Sequence, residues 1–373
     1  MSVFSDFVRR GNLMASLARF SRGGPARVAF MGGSVTTQQW REPVMAYLRR
    51  RFPQADFDFV MAGVGGTDAN LGAFRLPRDV FGRGPVDLLF LEFAVNGGEV
   101  RPLEGIVRQA RRLSPALDII LTYFASCDHV ESSHQDRLPA IVQEHERVAA
   151  HYNLPSLFFY REVANQIEAG KLAWSEFSDD VVHPSAKGCE LYAEWFLSFL
   201  DQAWADPASA PTPAPDPPPL DPGCFDRGHF VAPSQATVSR GFQAVEGWST
   251  EKTCNFAPPV DVLEATTPGA ELSLTFRGTA IGLYLIAGFD AGVLECAIDG
   301  APPVRVDLFD EPWCTMFHRP IHRLLADALP DGEHHLVLRL TGERHSQSVG
   351  TAVRLLQFMV NGGAEGDPRS PRR

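Results

Sequence analysis

At 373 residues the chain is longer than one typical domain, so two domains are expected, and a hydrophobic share of 45% with 21% charged residues is that of an ordinary soluble globular protein. A formal net charge of -11 argues against nucleic acid and against an anionic membrane surface, both of which call for patches of Lys and Arg. No stretch approaches the roughly 20 apolar residues of a membrane span, and Arg9, Arg10, Asn12 and Arg19 interrupt the opening residues where a secretory signal would be continuously apolar. The cytoplasm is therefore the expected location.

In chain order, Val3–Phe20 has helix-like apolar spacing and is expected to pack on the first domain. Arg27–Met31 follows as a strand, Gln38–Arg51 as an amphipathic helix, Phe57–Met61 as a strand and Ala69–Val80 as a helix. The pattern continues with strand Asp87–Phe93, helix Leu103–Leu113, strand Asp118–Phe124, helix Leu138–Tyr152, strand Ser156–Tyr160 and helix Ser185–Trp204. Short, nearly continuous apolar strands separated by helices indicate an α/β domain, a buried parallel sheet with helices on both faces. Sites in such sheets form at the carboxyl ends of the strands.

From Ala205 to Gly223 proline is so dense that neither helix nor strand can run through, and an extended connector is expected. Beyond it, Glu271–Phe276, Ala280–Ile286, Gly292–Ile298, Val304–Leu308, His335–Thr341 and Ala352–Val360 read as strands separated by turns such as Asp299-Gly300 and Asp331-Gly332. That spacing suggests an all-β sandwich of jelly-roll type, although pattern alone does not separate sandwich from barrel. The expected organisation is a first domain over residues 1–204, a linker over 205–223, a β domain over 224–365 and a disordered tail over 366–373. Six cysteines without C-x-x-C spacing fit reduced, mostly buried thiols better than a metal site or disulfide framework, with a Cys224–Cys254 bridge left open by the even count.

Four segments carry chemistry. Gly32-Gly33-Ser34 directly follows the first strand and precedes a helix, so two glycines allow a tight turn that exposes the serine hydroxyl near a helix N-terminus. By itself this is as well explained by N-capping. Gly63-Val64-Gly65-Gly66-Thr67 follows the second strand and allows a backbone N–H to approach a reacting oxygen; without a following Lys it is not a phosphate loop. Asn96-Gly97 ends the third strand, where Asn96 can offer its amide to an oxyanion or simply make a turn. Asp180 lies three residues before His183, just ahead of the last helix, and a carboxylate so placed can orient the imidazole as a general base. Alone, each is weak; together they put a nucleophile, a base with its carboxylate, and oxyanion donors on one edge of one sheet.

On these segments residues 8 to 203 resemble the SGNH/GDSL hydrolase family, in its branch with a Gly-Gly-Ser first block. Arg10-Gly11-Asn12-Leu13, Gly72-Ala73-Phe74-Arg75-Leu76 and Leu91-Glu92-Phe93-Ala94-Val95-Asn96 extend the likeness. The resemblance implies a three-layer α/β/α fold and a serine esterase without metal or organic cofactor. Ser34 would be the nucleophile, His183 the base and Asp180 its partner. Ser34 N–H, Gly66 N–H and the Asn96 side chain would form the oxyanion hole. The chain departs from the family at Gly33, where the name-giving motif has Asp, at Met61, where many members have Asn, and at Gly97, where Asp is usual. Asp179 is an adjacent competitor for the role of Asp180.

The attached β domain is similar to jelly-roll modules found with carbohydrate esterases, which makes O-acetylated saccharide the expected substrate and a small-molecule or oligosaccharide ester the expected partner. Arg41, Arg75 and Trp248 are candidate substrate-binding residues, with helix-surface ion pairs and sandwich core as the competing explanations. Tyr284, Asp290 and Trp313 belong to the same saccharide question. Alternatives are a lysophospholipase or thioesterase, for which no long apolar groove is recognised, and a sugar-binding scaffold without turnover. Cys127 and His129 end the fourth strand, but a competing Cys–His dyad is disfavoured, as is a metal site at His318 and His322, which lack a third ligand. Nothing in the pattern bears on oligomeric state.

Overall fold

The computed structural model describes residues 4–205 and 216–363. The expected disordered tail and residues 206–215 of the expected linker lie outside the described residues. The chain divides into two compact units, Met1–Asp226 and Arg227–Arg373. The first unit extends three residues past the end of the Pro-rich run because Phe225 packs on Phe74, ring centroids 5.1 Å apart, and its carbonyl accepts from Gln109 Nε2 at 2.6 Å.

In the first unit the elements are β1 (Phe7–Val8), α1 (Met14–Arg22), β2 (Gly24–Gly32), α2 (Arg41–Arg51), β3 (Ala55–Gly63), α3 (Ala69–Asp79), β4 (Leu88–Glu92), α4 (Val100–Leu113), β5 (Asp118–Tyr123), α5 (Cys127–His134), α6 (Ala140–His151), β6 (Ser156–Phe158), α7 (Phe159–Glu168), α8 (Trp174–Phe177) and α9 (Ala186–Ala205). The sheet order is β1-β6-β5-β4-β2-β3, parallel throughout except for β1. Leaving β2 for β3 and returning past it to β4 reverses the direction of travel. With right-handed crossovers, α2 and α3 then fall on opposite faces. Accordingly α2 meets α9, with Trp40 stacked on Phe196 at 4.7 Å, while α3 meets α4 on the other face. All five residues of β4 are buried, as a central strand covered on both sides requires. The reversal beside β2 opens a crevice at its carboxyl end, where the Ser34 turn lies.

Two expectations are corrected. Val3–Phe20 is not one helix: Gly11 takes φ +58 and a Cβ there would stand 2.5 Å from the Asn153 carbonyl, so the chain turns between a short antiparallel strand and α1. Ser156–Tyr160 is a strand only to Phe158, because Phe159 begins α7 and packs on Phe196 at 4.7 Å; a short apolar run reads equally as buried strand or buried helix.

The second unit contains β7 (Gly228–Val231), β8 (Thr237–Arg240), β9 (Gln243–Trp248), β10 (Val260–Ala265), β11 (Glu271–Gly278), β12 (Ala280–Ala287), β13 (Gly292–Ile298), β14 (Val304–Asp307), β15 (Arg319–Ala326), β16 (Gly332–Arg344) and β17 (Val353–Asn361). One sheet runs β15-β12-β17-β10-β9 with β7 also on β17, and the other runs β14-β13-β16-β11-β8. This is an antiparallel sandwich, its core built from alternate residues such as Leu272, Leu274, Leu283, Leu285, Leu336, Leu338 and Leu340. The strands before residue 265 escape pattern recognition because several are polar edges; all four residues of β8 are exposed.

All six cysteines are free, so the Cys224–Cys254 bridge does not form. Among the described residues no helix is long and apolar enough to cross a membrane, and no three His, Cys, Asp or Glu side chains gather as a metal site.

Candidate active site

Three turns at the carboxyl ends of β2, β3 and β4 are tied to one another through the backbone. The Val64 N–H donates to the Gly32 carbonyl at 3.0 Å, and the Ala69 N–H donates to the Gly97 carbonyl at 3.1 Å. The second turn is closed internally by the Thr67 hydroxyl on the Val64 carbonyl at 2.7 Å. Gly66, at φ +67 and exposed, occupies a conformation that L side chains avoid.

Ser34 sits in the first turn, partly exposed, and its Oγ lies 2.8 Å from His183 Nε2. His183 Nδ1 lies 2.7 Å from Asp180 Oδ2. The other carboxylate oxygen accepts the backbone N–H groups of Val182 and His183, each at 2.7 Å, which fixes the carboxylate against its own loop. Burial opposes charge on Asp180, but these hydrogen bonds prevail and hold its carboxyl below the ordinary carboxylate range. With Nδ1–H donated to Asp180, Nε2 is left as the acceptor facing Ser34, the tautomer a general base requires. Asp180, not Asp179, makes these contacts.

The histidine loop is positioned from three sides. Ser178 donates its hydroxyl to the His183 carbonyl at 2.7 Å, Trp174 Nε1–H donates to the Asp180 carbonyl at 2.8 Å, and the Cys127 N–H donates to the Val181 carbonyl at 2.9 Å. Cys127 therefore serves the site through its backbone. Its thiol is pushed up by burial and by Asp128 and Asp180, the opposite of what a nucleophile needs. His129 is buried with Nδ1 at 3.1 Å from the Phe124 carbonyl.

Asn96 is exposed in the third turn, and its side chain lies directly over Gly33: a Cβ at Gly33 would stand 2.1 Å from Asn96 Oδ1. The Asp of the name-giving motif has no room here unless Asn96 moves. Gly33→Ala is therefore expected to lower kcat about 10- to 100-fold, and to add little to an Asn96→Ala background because both act on one group. A double-mutant cycle with an acetyl ester checks this. Gly97 takes φ +103, where an Asp would be strained, so this turn is built for glycine.

The substrate-binding candidates fare differently. Arg75 is corrected as a substrate-binding residue: at 1% exposure it cannot touch substrate, and its ion pair along α3, with Asp79, starts from a buried guanidinium rather than a surface one. Its guanidinium clamps the ends of two strands, donating to the Ala62 carbonyl at 2.6 Å and the Gly32 carbonyl at 3.0 Å, with Asp79 at 3.4 Å. Arg41 spends its guanidinium on the Thr37 and Gln38 carbonyls, at 2.5 and 3.0 Å, and lies against Met61, so it braces the turn after Ser34. Trp248 is half-buried in the second unit, with Arg354 4.6 Å from its ring centroid and His318 edge-on at 5.4 Å. His318 in turn reaches Asp290 at 3.2 Å.

Glu92 has no role assigned by the motifs, within which it stands only as part of Leu91-Glu92-Phe93-Ala94-Val95-Asn96. It ends the all-buried β4, is itself 3% exposed, and reaches the first and third turns. The available signal was a charged residue closing an otherwise apolar strand.

The fold, a parallel α/β/α unit followed by an antiparallel β-sandwich, is shared with a solved two-domain protein. Over 96% of its length the chain is similar to a two-domain esterase active on acetylated mannans, with a TM-score of 0.80 at 23% identity and 98% of that chain covered. The same esterase co-crystallised with mannopentaose gives a TM-score of 0.78 at 23% identity over the same shares. A variant of an acetyl xylan esterase from Geobacillus stearothermophilus matches 47% of this chain and 94% of its own, with a TM-score of 0.37 at 20% identity. At 23% identity the likeness to the two-domain esterase is one of fold. No family model matches the chain, and no curated protein matches it.

Proposed function

We propose that the protein is a serine esterase that removes O-acetyl groups from a saccharide, using Ser34, His183 and Asp180. The observation that carries this is the unbroken relay from Ser34 Oγ through His183 to Asp180, at 2.8 and 2.7 Å, beside the Gly66 and Asn96 turns. His183 takes the Ser34 proton as the hydroxyl oxygen attacks the ester carbonyl. Ser34 N–H, Gly66 N–H and the Asn96 amide receive the negative charge that develops on the carbonyl oxygen. His183 returns the proton to the departing sugar hydroxyl, and water, activated by the same imidazole, then releases acetate from Ser34. The chemistry asks for no metal or organic cofactor.

The acetyl-saccharide assignment draws on the whole-length likeness to an esterase active on acetylated mannans, and on the β-sandwich that both chains carry. The test is acetate release from an acetylated manno-oligosaccharide, an acetylated xylo-oligosaccharide and 4-nitrophenyl acetate, with 4-nitrophenyl octanoate as the long-chain control. Hydrolysis of an acetylated saccharide at least tenfold faster in kcat/KM than the octanoyl ester is expected. Preference for octanoate would redirect the reading to a long-chain acyl hydrolase, and no hydrolysis at all to a binding scaffold. Asn96→Ala is expected to lower kcat by about 10²–10³-fold with the fold retained, the typical loss of one oxyanion donor; a change below threefold would remove Asn96 from the oxyanion hole.

A further inference from the structure

Glu92 closes β4 underneath the Ser34 and Asn96 turns. Its Oε1 accepts the Val95 N–H at 3.0 Å, from the turn that carries Asn96. It also accepts the Gly33 N–H, from the turn that carries Ser34. The carboxylate thus joins the backbone beside the nucleophile to the backbone beside the side-chain oxyanion donor. Its second oxygen is buried and has no hydrogen-bond partner, and neither has the buried Thr36 hydroxyl. Both lie beside Gly32, where there is no room for a side chain: a Cβ there would stand 2.2 Å from Thr36 Oγ1, 2.4 Å from the Glu92 carbonyl oxygen and 3.2 Å from Glu92 Oε2. Burying a carboxylate without completing its hydrogen bonds is costly. A structural brace would be served as well by an amide.

We propose that Glu92 is a positioning residue whose ionised carboxylate sets the Ser34 turn against the Asn96 turn, so that turnover depends on its charge. An anion strengthens both N–H···O bonds at once, whereas the protonated acid is a weaker acceptor and has a hydroxyl to place in the crowded space beside Gly32. Misplacing either turn by about 1 Å is enough to cost on the order of 10²-fold in rate. The titratable group that feels Glu92 is the Tyr192 phenol from α9, which burial keeps protonated, while the nearest strand end, the Gly32 carbonyl, is held by the Arg75 guanidinium from α3. Burial pushes the Glu92 carboxyl up to about 7, against the hydrogen bonds from Val95 and Gly33. Such a shift favours the protonated folded state. Glu92 therefore takes stability away as pH rises from the ordinary carboxyl value of 4.5 through about 7.

The proposal rests on the serine-esterase reading, and its test is arranged so that the two fail separately. In the full chain, the amide resonances of Gly33 and Val95 are expected to titrate together with a midpoint near pH 7, a readout that needs no turnover. In Glu92→Gln that titration is expected to vanish and kcat for an acetyl ester to fall about 10- to 100-fold, with KM within threefold. Melting at pH 8 should be no lower than in the native chain, because an uncompensated buried charge is gone. Amides that do not titrate overturn the proposal. So does a Glu92→Gln chain with kcat within threefold of native, or one whose lost activity is matched by lower melting at every pH. If the native chain hydrolyses no ester while both amides titrate, the esterase reading fails and the coupling of the two turns stands.

Discussion

Ser34→Ala is expected to lower kcat for an acetyl ester by about 10⁴-fold or more while leaving the melting temperature unchanged. The attacking atom is removed, and removal of one member of a hydrogen-bonded relay costs nearly as much as removal of all of them. The hydroxyl contributes little to folding: its partner is His183 Nε2, on a half-exposed ring that solvent can serve equally well. The turn itself is held by backbone groups that alanine preserves, including the Thr37 N–H on the Ser34 carbonyl at 3.0 Å. Stopped-flow assays with 4-nitrophenyl acetate, together with calorimetry on the same samples, check both halves. Activity within tenfold of native would exclude an acyl-enzyme on Ser34.

Arg75→Leu is expected to destabilise the first unit by about 3–4 kcal/mol, a fall of about 10 °C in its melting transition. Leucine fills part of the space but takes away the guanidinium donors, at 2.6 Å from the Ala62 carbonyl and at 3.0 Å from the Gly32 carbonyl, which keeps only its bond from the Val64 N–H. Those carbonyls end β2 and β3 immediately before the first two turns of the site, so kcat should fall with the melting temperature. A substrate-binding arginine would behave otherwise, raising KM and leaving the transition in place. Differential scanning calorimetry with Michaelis curves separates the cases, and a shift below 2 °C would remove Arg75 as the clamp.

Most of the strand and helix order of the first unit is legible in the chain, because buried parallel strands are short apolar runs and the helices between them keep a helical period. What escapes recognition has a physical cause. Phe159 could continue β6 or start α7 on pattern alone, and only its packing against Phe196 settles the choice. The polar edge strand β8 carries no hydrophobic alternation. Arg75 and Glu92 look like surface charges in a linear reading, since nothing local says that a long side chain folds inward to meet strand ends far away in sequence.

The sequence by itself determined which chemical groups are present and where they fall relative to strands: a serine behind two glycines after the first strand, an asparagine after the third, and a carboxylate three residues before a histidine ahead of the last helix. These are local properties, set by turn geometry and hydrophobic period. Tertiary structure alone decided that Ser34 and His183, 149 residues apart, meet at 2.8 Å, and that Arg41 and Arg75 serve the backbone. Such pairings depend on how the sheet order reverses beside β2 and on which buried carbonyls and N–H groups are left in need of a partner. Both are properties of the packed chain as a whole.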